Sequence, residues 1–233
     1  MSSPSTAAGL AIVPGRPRSL HLTSIALPEV GPGDALVRVR RAGVCGTDRE
    51  LIEGHFGAAP EGSPNLVLGH EVLAVVERVG SAVTNLHPGD LVTATARRPC
   101  SCRQCQAGES DFCSLLEYKE RGIRGLHGYM TERFVEDEGQ LVRVPPALEA
   151  VGVLVEPFSV AEKAWRVAQA VQRRIASWEP RTAVVYGAGP IGMTATLMLR
   201  AHGLDVHTLD LKPAPNRSEE VVRAIGGSYV PPV

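Results

Sequence analysis

Four of the five cysteines in this 233-residue chain fall in one short stretch, Cys100-Ser-Cys102-Arg-Gln-Cys105 followed by Cys113. Thiolates suit tetrahedral zinc, and four sulfurs fill its shell with no position open to water. The stretch therefore points to a closed, structural zinc site; the alternative is a set of unliganded or redox cysteines. A second constellation is dispersed. Cys45 stands in Gly43-Val44-Cys45-Gly46-Thr47-Asp48, His70 in Leu68-Gly69-His70-Glu71, and Glu156 in Leu154-Val155-Glu156-Pro157. Singly each is weak, because an isolated cysteine is more often core than ligand and an isolated histidine is more often packed or solvated. His21, His55, His87, His127, His202 and His207 carry no assignment. A third pattern is Gly187-Ala-Gly189-Pro190-Ile191-Gly192. Its glycines permit a tight turn and a close approach of a pyrophosphate to a helix N-terminus. Asp210 ends the next strand at close to the expected distance of about 20 residues. The other reading is a tight β–α turn that holds no nucleotide.

These groups need elements to hold them. Residues 35–41 alternate apolar and polar side chains, as a half-buried strand does. Residues 66–79 form a second β-rich run, 91–94 a short strand opened by the turn Pro88-Gly89-Asp90, and 141–144 a fourth. Frequent Gly and Pro between them predict a compact, mostly β domain over roughly the first 150 residues. The pattern then changes. Residues 158–176 have helical spacing, with Trp178-Glu179-Pro180 as the stop. Strand 182–186, the glycine turn, helix 191–201, strand 204–209, helix 218–225 and strand 228–230 come next. That β-α-β-α-β order is the first half of a doubly wound nucleotide fold. The expected class is α/β with a β-rich first domain: a catalytic domain over 1–157, a linker helix over 158–180 and half a nucleotide domain over 181–233.

Bulk properties narrow the function. The 24 basic and 25 acidic residues nearly cancel, and no basic run suggests nucleic acid or an anionic membrane as partner. No apolar stretch approaches the roughly 20 residues of a membrane span. The segment 1–10 lacks the charged and apolar regions of a secretory signal. The expectation is a soluble cytoplasmic protein, and in a reducing compartment clustered thiols more often bind metal.

Five segments in order resemble the zinc-dependent medium-chain dehydrogenases: Ala-Gly-Val-Cys-Gly-Thr-Asp (42–48), Gly-His-Glu (69–71), Pro-Gly-Asp (88–90), the cysteine stretch, and Gly-Ala-Gly-Pro-Ile-Gly (187–192). Within that family the chain is most similar to the archaeal-type glucose dehydrogenases. The similarity lies in Cys-Gly-Thr-Asp-Arg-Glu (45–50), Arg97-Arg98-Pro99, Gly-Ile-Arg-Gly-Leu-His-Gly (122–128) and Glu-Pro-Phe-Ser-Val-Ala-Glu-Lys (156–163). The resemblance implies a GroES-like domain and then a Rossmann domain. It makes Cys45 and His70 ligands of a catalytic zinc, with Glu156 bound directly or through water. Glu71 is a ligand in some states or an outer neighbour. Thr47 relays the substrate proton, and Asp48 holds a ligand imidazole. Zinc as a Lewis acid lowers the pKa of an alcohol, and a hydride then passes to NAD or NADP. Glu120 matches a position that binds sugar hydroxyls; a solvated loop carboxylate is the other reading.

Two departures stand out. The family places two residues between the first two lobe cysteines, where only Ser101 stands here, so Cys100 must reach the metal by a shifted backbone or give way to another ligand. Ala96 occupies a position where some members carry a sugar-binding asparagine. Gly187, Gly189, Pro190, Ile191, Gly192, Asp210 and Lys212 are the expected cofactor contacts. Asp210 favours NAD, whereas Lys212 and Arg217 could offset its charge against NADP. The implied reaction oxidises the C1 hydroxyl of an aldose, glucose before others, to the lactone. Another polyol or alcohol is one alternative, and a non-catalytic zinc-binding fragment is the other. The resemblance also implies a second half of the Rossmann sheet that this sequence does not contain, and a homo-oligomer for a full-length form.

Overall fold

The computed structural model describes residues 6–232; residues 1–5, part of the segment read for a secretory signal, and residue 233 lie outside the described residues. The chain divides into two units, 1–156 and 157–233.

The first unit is built from strands and short helices. In chain order these are β1 (Thr6–Ile12), β2 (His21–Ala26), β3 (Asp34–Ala42), α1 (Gly46–Ile52), β4 (Leu66–Val67), β5 (Val72–Val79), β6 (Leu91–Ala94), β7 (Arg97–Arg98), α2 (Arg103–Gln106), β8 (Lys119–Arg121), β9 (Gly125–Leu126), β10 (Arg133–Asp137) and β11 (Leu141–Arg143). The main sheet has the order β10-β3-β5-β6-β11, with smaller sheets β2-β1-β4 and β7-β8-β9. Val37, Val72, Val76, Val92 and Phe134 point inward from the main sheet and close the core around Tyr129. The alternation of apolar residues explains these strands. The elements that sequence did not suggest, β1, β2, β7, β8, β9, β10, α1 and α2, are short or carry mixed faces.

Two departures from simple strands aim the site. The run 66–79 is not one strand: it breaks at Leu68–Glu71, where Gly69 takes φ of 95°. A side chain at Gly69 would collide with the Met130 backbone nitrogen, and side chains at Gly122 and Gly128 would collide with the Gly69 carbonyl. Tyr129 N–H donates to Gly69 O at 2.9 Å and Met130 N–H to Leu68 O at 2.8 Å. The backbone before His70 is thus clamped by a second strand-like segment. The other departure is a pair of register shifts between β3 and β5, at Leu36/Val37 and Val39/Arg41. Such bulges bend a strand and re-aim the chain beyond them, here the segment leading to Cys45.

The first shift leaves Glu77 outside the pairing. Arg133 and Arg38 sit directly opposite one another on β10 and β3. Like charges in that register repel, and Glu77 bridges them with 2.8 Å contacts to both.

The second unit contains α3 (Val155–Gln172, which begins at the unit boundary), β12 (Thr182–Tyr186), α4 (Pro190–Ala201), β13 (Asp205–Leu209), α5 (Arg217–Ala224) and β14 (Ser228–Val230). The three strands are parallel in the order β12-β13-β14. Helix α3 starts three residues earlier than its apolar spacing predicts, because Pro157 is tolerated in a first turn. It ends at Gln172 rather than near Trp178, and irregular backbone spans the difference. Among the described residues no helix is long and apolar enough to cross a membrane.

The Glu77 bridge sets a pH dependence. Burial pushes its carboxyl up, but the hydrogen bonds and charges of Arg133 and Arg38 outweigh this and hold it below the ordinary value. A depressed carboxylate contributes stability above its unfolded pKa of about 4.3, and that contribution is lost as pH falls through the folded value. Glu77→Gln should therefore cost about 1 kcal/mol at neutral pH. Denaturant melts of the two proteins should draw together as the pH falls below the ordinary carboxylate range and meet below the depressed Glu77 value; a gap that persisted into strong acid would refute the bridge as its source.

Candidate active site

Cys45 ends the extended segment after β3 and serves as the N-cap of α1. Its backbone N–H donates to Asp48 Oδ2 at 2.9 Å, so the first turn of α1 fixes the carboxylate under the cysteine. The clamped loop delivers His70. His70 Nε2 lies 3.1 Å from Cys45 Sγ, and its Nδ1 faces Asp48 Oδ1 at 3.9 Å. Both His70 Nδ1 and Asp48 Oδ1 are buried without a hydrogen-bond partner. Gly152 packs tightly on Leu73 and Val144 just before α3, and Glu156 stands in the first turn of that helix. Cys45, Asp48 and His70 form one group with ligand atoms within 4.8 Å of each other, and His70, Glu71 and Glu156 form another.

Glu71 turns back over Gly43. A side chain at Gly43 would overlap the Glu71 carboxylate, and Gly43 N–H donates to Glu71 O at 3.0 Å. Burial pushes the Cys45 thiol up, although hydrogen bonds from the Asp48 backbone and the Thr47 side chain pull the other way. Burial likewise raises the Glu71 carboxyl. It also raises that of Glu156, where the His70 charge opposes it and the charges of Glu71, Glu120 and Asp48 add to it. A thiol and three carboxylates thus crowd one imidazole. A divalent cation at Cys45 Sγ and His70 Nε2 fits this donor set. Binding at Nε2 leaves the proton on Nδ1, which gives the orphaned Asp48 oxygen a donor.

The lobe cysteines converge as well. Cys100 Sγ lies 3.4 Å from Cys113 Sγ and 3.7 Å from Cys105 Sγ, and Cys102 Sγ lies 3.8 Å from Cys113 Sγ. Sulfurs about 2.3 Å from a central zinc define a tetrahedron with edges of about 3.8 Å. Despite the single residue between Cys100 and Cys102, all four sulfurs fall within 4.8 Å of one another. Backbone N–H groups of Cys105 and Ser114 draw the Cys102 thiol down to about 5, whereas desolvation drives Cys105 up to about 12.

Glu120, on β8, receives Arg97 at 2.6 Å. It is neither solvated freely nor part of the metal groups. Two structural residues escaped the sequence. His127, which has no role by sequence, accepts Val67 N–H on Nδ1 at 3.2 Å, and burial with the nearby Arg121 charge lowers its pKa, which keeps that nitrogen an acceptor. Glu136 is buried under Arg98, Arg121 and Tyr129, which all reach the same Oε2. Its partners are far apart in sequence, so no local signal marks it.

In the second unit, Gly187 takes φ of 96°, Gly189 is the N-cap of α4 and Pro190 opens the helix. A side chain at Gly192 would overlap the Gly187 carbonyl. Ala188 N–H donates to Asp210 Oδ2 at 3.0 Å and Lys212 N–H to Oδ1 at 3.3 Å. Burial pushes the Asp210 carboxyl up, but these bonds and the Lys212 charge outweigh it and hold it below its ordinary value. Arg217 instead pairs with Glu220 at 2.7 Å. A cavity of about 480 Å³ opens at the carboxyl ends of β12, β13 and β14, beside Gly187 and Asp210. That is where doubly wound sheets bind ligands.

The chain is similar to known proteins. The alcohol dehydrogenase GroES-like domain matches residues 31–146, and the glucose dehydrogenase C-terminus matches residues 149–232. The chain belongs to the zinc-dependent medium-chain dehydrogenases. Among its relatives, glucose 1-dehydrogenase of Methanocella arvoryzae is 45% identical over 94% of this chain and 61% of its own length. Glucose 1-dehydrogenase 2 of Vulcanisaeta moutnovskia is 43% identical over 94% and 62%. Haloferax mediterranei glucose dehydrogenase, solved in complex with NADP, Zn and gluconolactone, superposes with a TM-score of 0.85 at 35% identity, over 96% of this chain and 63% of that one. The chain thus spans about three fifths of the length of these medium-chain dehydrogenases.

Gly43→Ala must displace Glu71 while leaving the lobe untouched. Metal affinity at the Cys45–His70 site should fall by about 10-fold or more, read by competition with a chromophoric chelator. Unchanged affinity would show that Glu71 does not shape that site.

Proposed function

We propose that this chain carries the catalytic metal centre and the adenosine half of the cofactor site of an NAD(P)-dependent dehydrogenase that oxidises the C1 hydroxyl of an aldose, glucose before others. The observation that carries this is the pair of ligand groups that meet at His70, Cys45 with Asp48 on one side and Glu71 with Glu156 on the other, with orphaned polar atoms on His70 and Asp48. The zinc-bound glucose dehydrogenase of Haloferax mediterranei supports the same reading.

Zinc supplies Lewis acidity at the substrate hydroxyl and the nicotinamide supplies the hydride acceptor. The residues do the rest. Cys45 and His70 hold the metal, and Glu156 joins them directly or through water. Asp48 keeps the His70 proton on Nδ1. Thr47, in the first turn of α1 beside the cysteine, takes up the hydroxyl proton. Glu71 stands outside the ligand set and balances charge. Glu120 accepts hydrogen bonds from sugar hydroxyls. The four lobe cysteines hold a second zinc, closed to substrate. Gly187, Gly189 and Gly192, with Pro190 and Ile191 opening α4, seat the pyrophosphate. The ionised Asp210 accepts the ribose hydroxyls, so NAD is preferred, with Lys212 close enough to lessen the penalty against NADP. Ala96 offers no side-chain donor to a sugar, which favours a different polyol or alcohol as the second reading.

Elemental analysis of the purified chain should give two zinc ions, and Cys45→Ala should lose one of them together with any aldose-dependent reduction of NAD. Full zinc occupancy in that variant would overturn the ligand assignment. Asp210→Ala should raise NADP affinity relative to NAD by about 10-fold, one lost repulsion between neighbouring charges. Fluorescence titration with both cofactors reads this, and an unchanged ratio would remove Asp210 from the site.

A further inference from the structure

Arg97 has no role in the proposed reaction, yet its side chain contacts both Glu120 and the segment that carries the lobe cysteines. Its Nη2 lies 2.6 Å from Glu120 Oε1 and its Nε 2.7 Å from the same oxygen. Its Nη1 donates to the Ser110 carbonyl at 3.1 Å. That carbonyl also accepts the backbone N–H of Cys113 at 3.2 Å, so one oxygen joins Arg97 to a lobe cysteine. The guanidinium stacks on the Tyr118 ring, 4.1 Å from its centre, and Tyr118 packs against the cysteine cluster. Arg97 also pairs backbone to backbone with Glu120 across β7 and β8. Its side chain is mostly buried. A guanidinium presents several donors in a fixed fork, so a single arginine can hold two acceptors in one geometry.

We propose that Arg97 is a positioning residue that couples the cysteine lobe to Glu120, so that the state of the lobe metal sets how Glu120 is presented to substrate. With the lobe closed on zinc, Cys113 and Tyr118 are fixed, the Ser110 carbonyl and the ring hold the guanidinium, and the guanidinium holds Glu120. With the lobe open, that support is lost and the carboxylate is free to turn. The coupling is reciprocal, as any linkage between two sites must be: removing Glu120 must loosen the lobe. The part of the proposal that concerns substrate rests on the sugar-binding reading of Glu120; the coupling itself does not.

The test is chelator-driven zinc release from the intact, zinc-loaded chain, with the lobe phase identified as the one that Cys113→Ser abolishes. Arg97→Ala should speed lobe release by about 10-fold, the loss expected for charge-assisted hydrogen bonds to a fixed partner. Glu120→Ala should speed it as well, and the double variant should be no faster than Arg97→Ala alone. Arg97→Lys keeps the charge but not the fork, so it should still release faster than the parent; it also serves if the alanine variant does not fold. Release at the parental rate in Glu120→Ala, or additive effects in the double variant, would overturn the coupling. If the chain oxidises aldoses, Arg97→Ala should raise KM for the sugar with kcat little changed, and an unaltered KM would overturn the substrate part. The zinc-release cycle decides the coupling whether or not the chain turns over sugar, and the proposed function is judged separately, by the zinc content of Cys45→Ala.

Discussion

The structure of the first unit turns on an electrostatic imbalance. A thiol and the carboxylates of Asp48, Glu71 and Glu156 gather about His70, and several of them are buried. Buried anions are costly unless paired or bound to metal. Burial accordingly drives the pKa values of Cys45, Glu71 and Glu156 up, toward the uncharged forms. A divalent cation reverses that logic, since ligands must give up their protons to bind it. The cluster therefore suits a divalent metal by charge as well as by spacing.

Such a cluster holds its shape only if the backbone around it cannot relax. Two devices serve this. One is the glycine crossing, in which Gly69, Gly122 and Gly128 let two chain segments meet at backbone contact. The other is the buried Glu136, which draws Arg98, Arg121 and Tyr129 onto one oxygen. Arg98 precedes the cysteine lobe and Arg121 comes directly after Glu120, so that carboxylate ties both ends of the lobe to the main sheet. Networks of this kind are stiff because every removed member leaves another buried group unsatisfied.

Much of this was legible in the sequence, for definite reasons. Strands β3, β6, β12 and β14 were visible because their side-chain alternation or apolar runs are local. The candidate metal ligands stand out as a set because zinc ligation constrains residue type severely. The break at Leu68–Glu71 was not: the run is apolar throughout, and only the crossing segment near Met130, distant in sequence, forces Gly69 out of the strand. The end of α3 was misjudged because nothing apolar or glycine-like marks Gln172. Cys100 illustrates a different limit. Its spacing departs from the family's, yet its sulfur joins the other three, because ligand geometry is set by where atoms can reach and not by a residue count.

The two metal groups also differ in a way that accounts for their different surroundings. The lobe offers four sulfurs and needs nothing further, so its neighbours need only hold it shut. The Cys45–His70 group offers one sulfur, one imidazole and carboxylates whose participation varies, so its geometry depends on what presses on them from outside. Gly43 sets Glu71, Asp48 sets the imidazole and Gly152 sets the start of α3. A site with so few fixed ligands is not closed by its own ligands. It has to be shaped by residues that never touch the metal, and in this chain those residues are glycines and a capping carboxylate placed where no other side chain would fit.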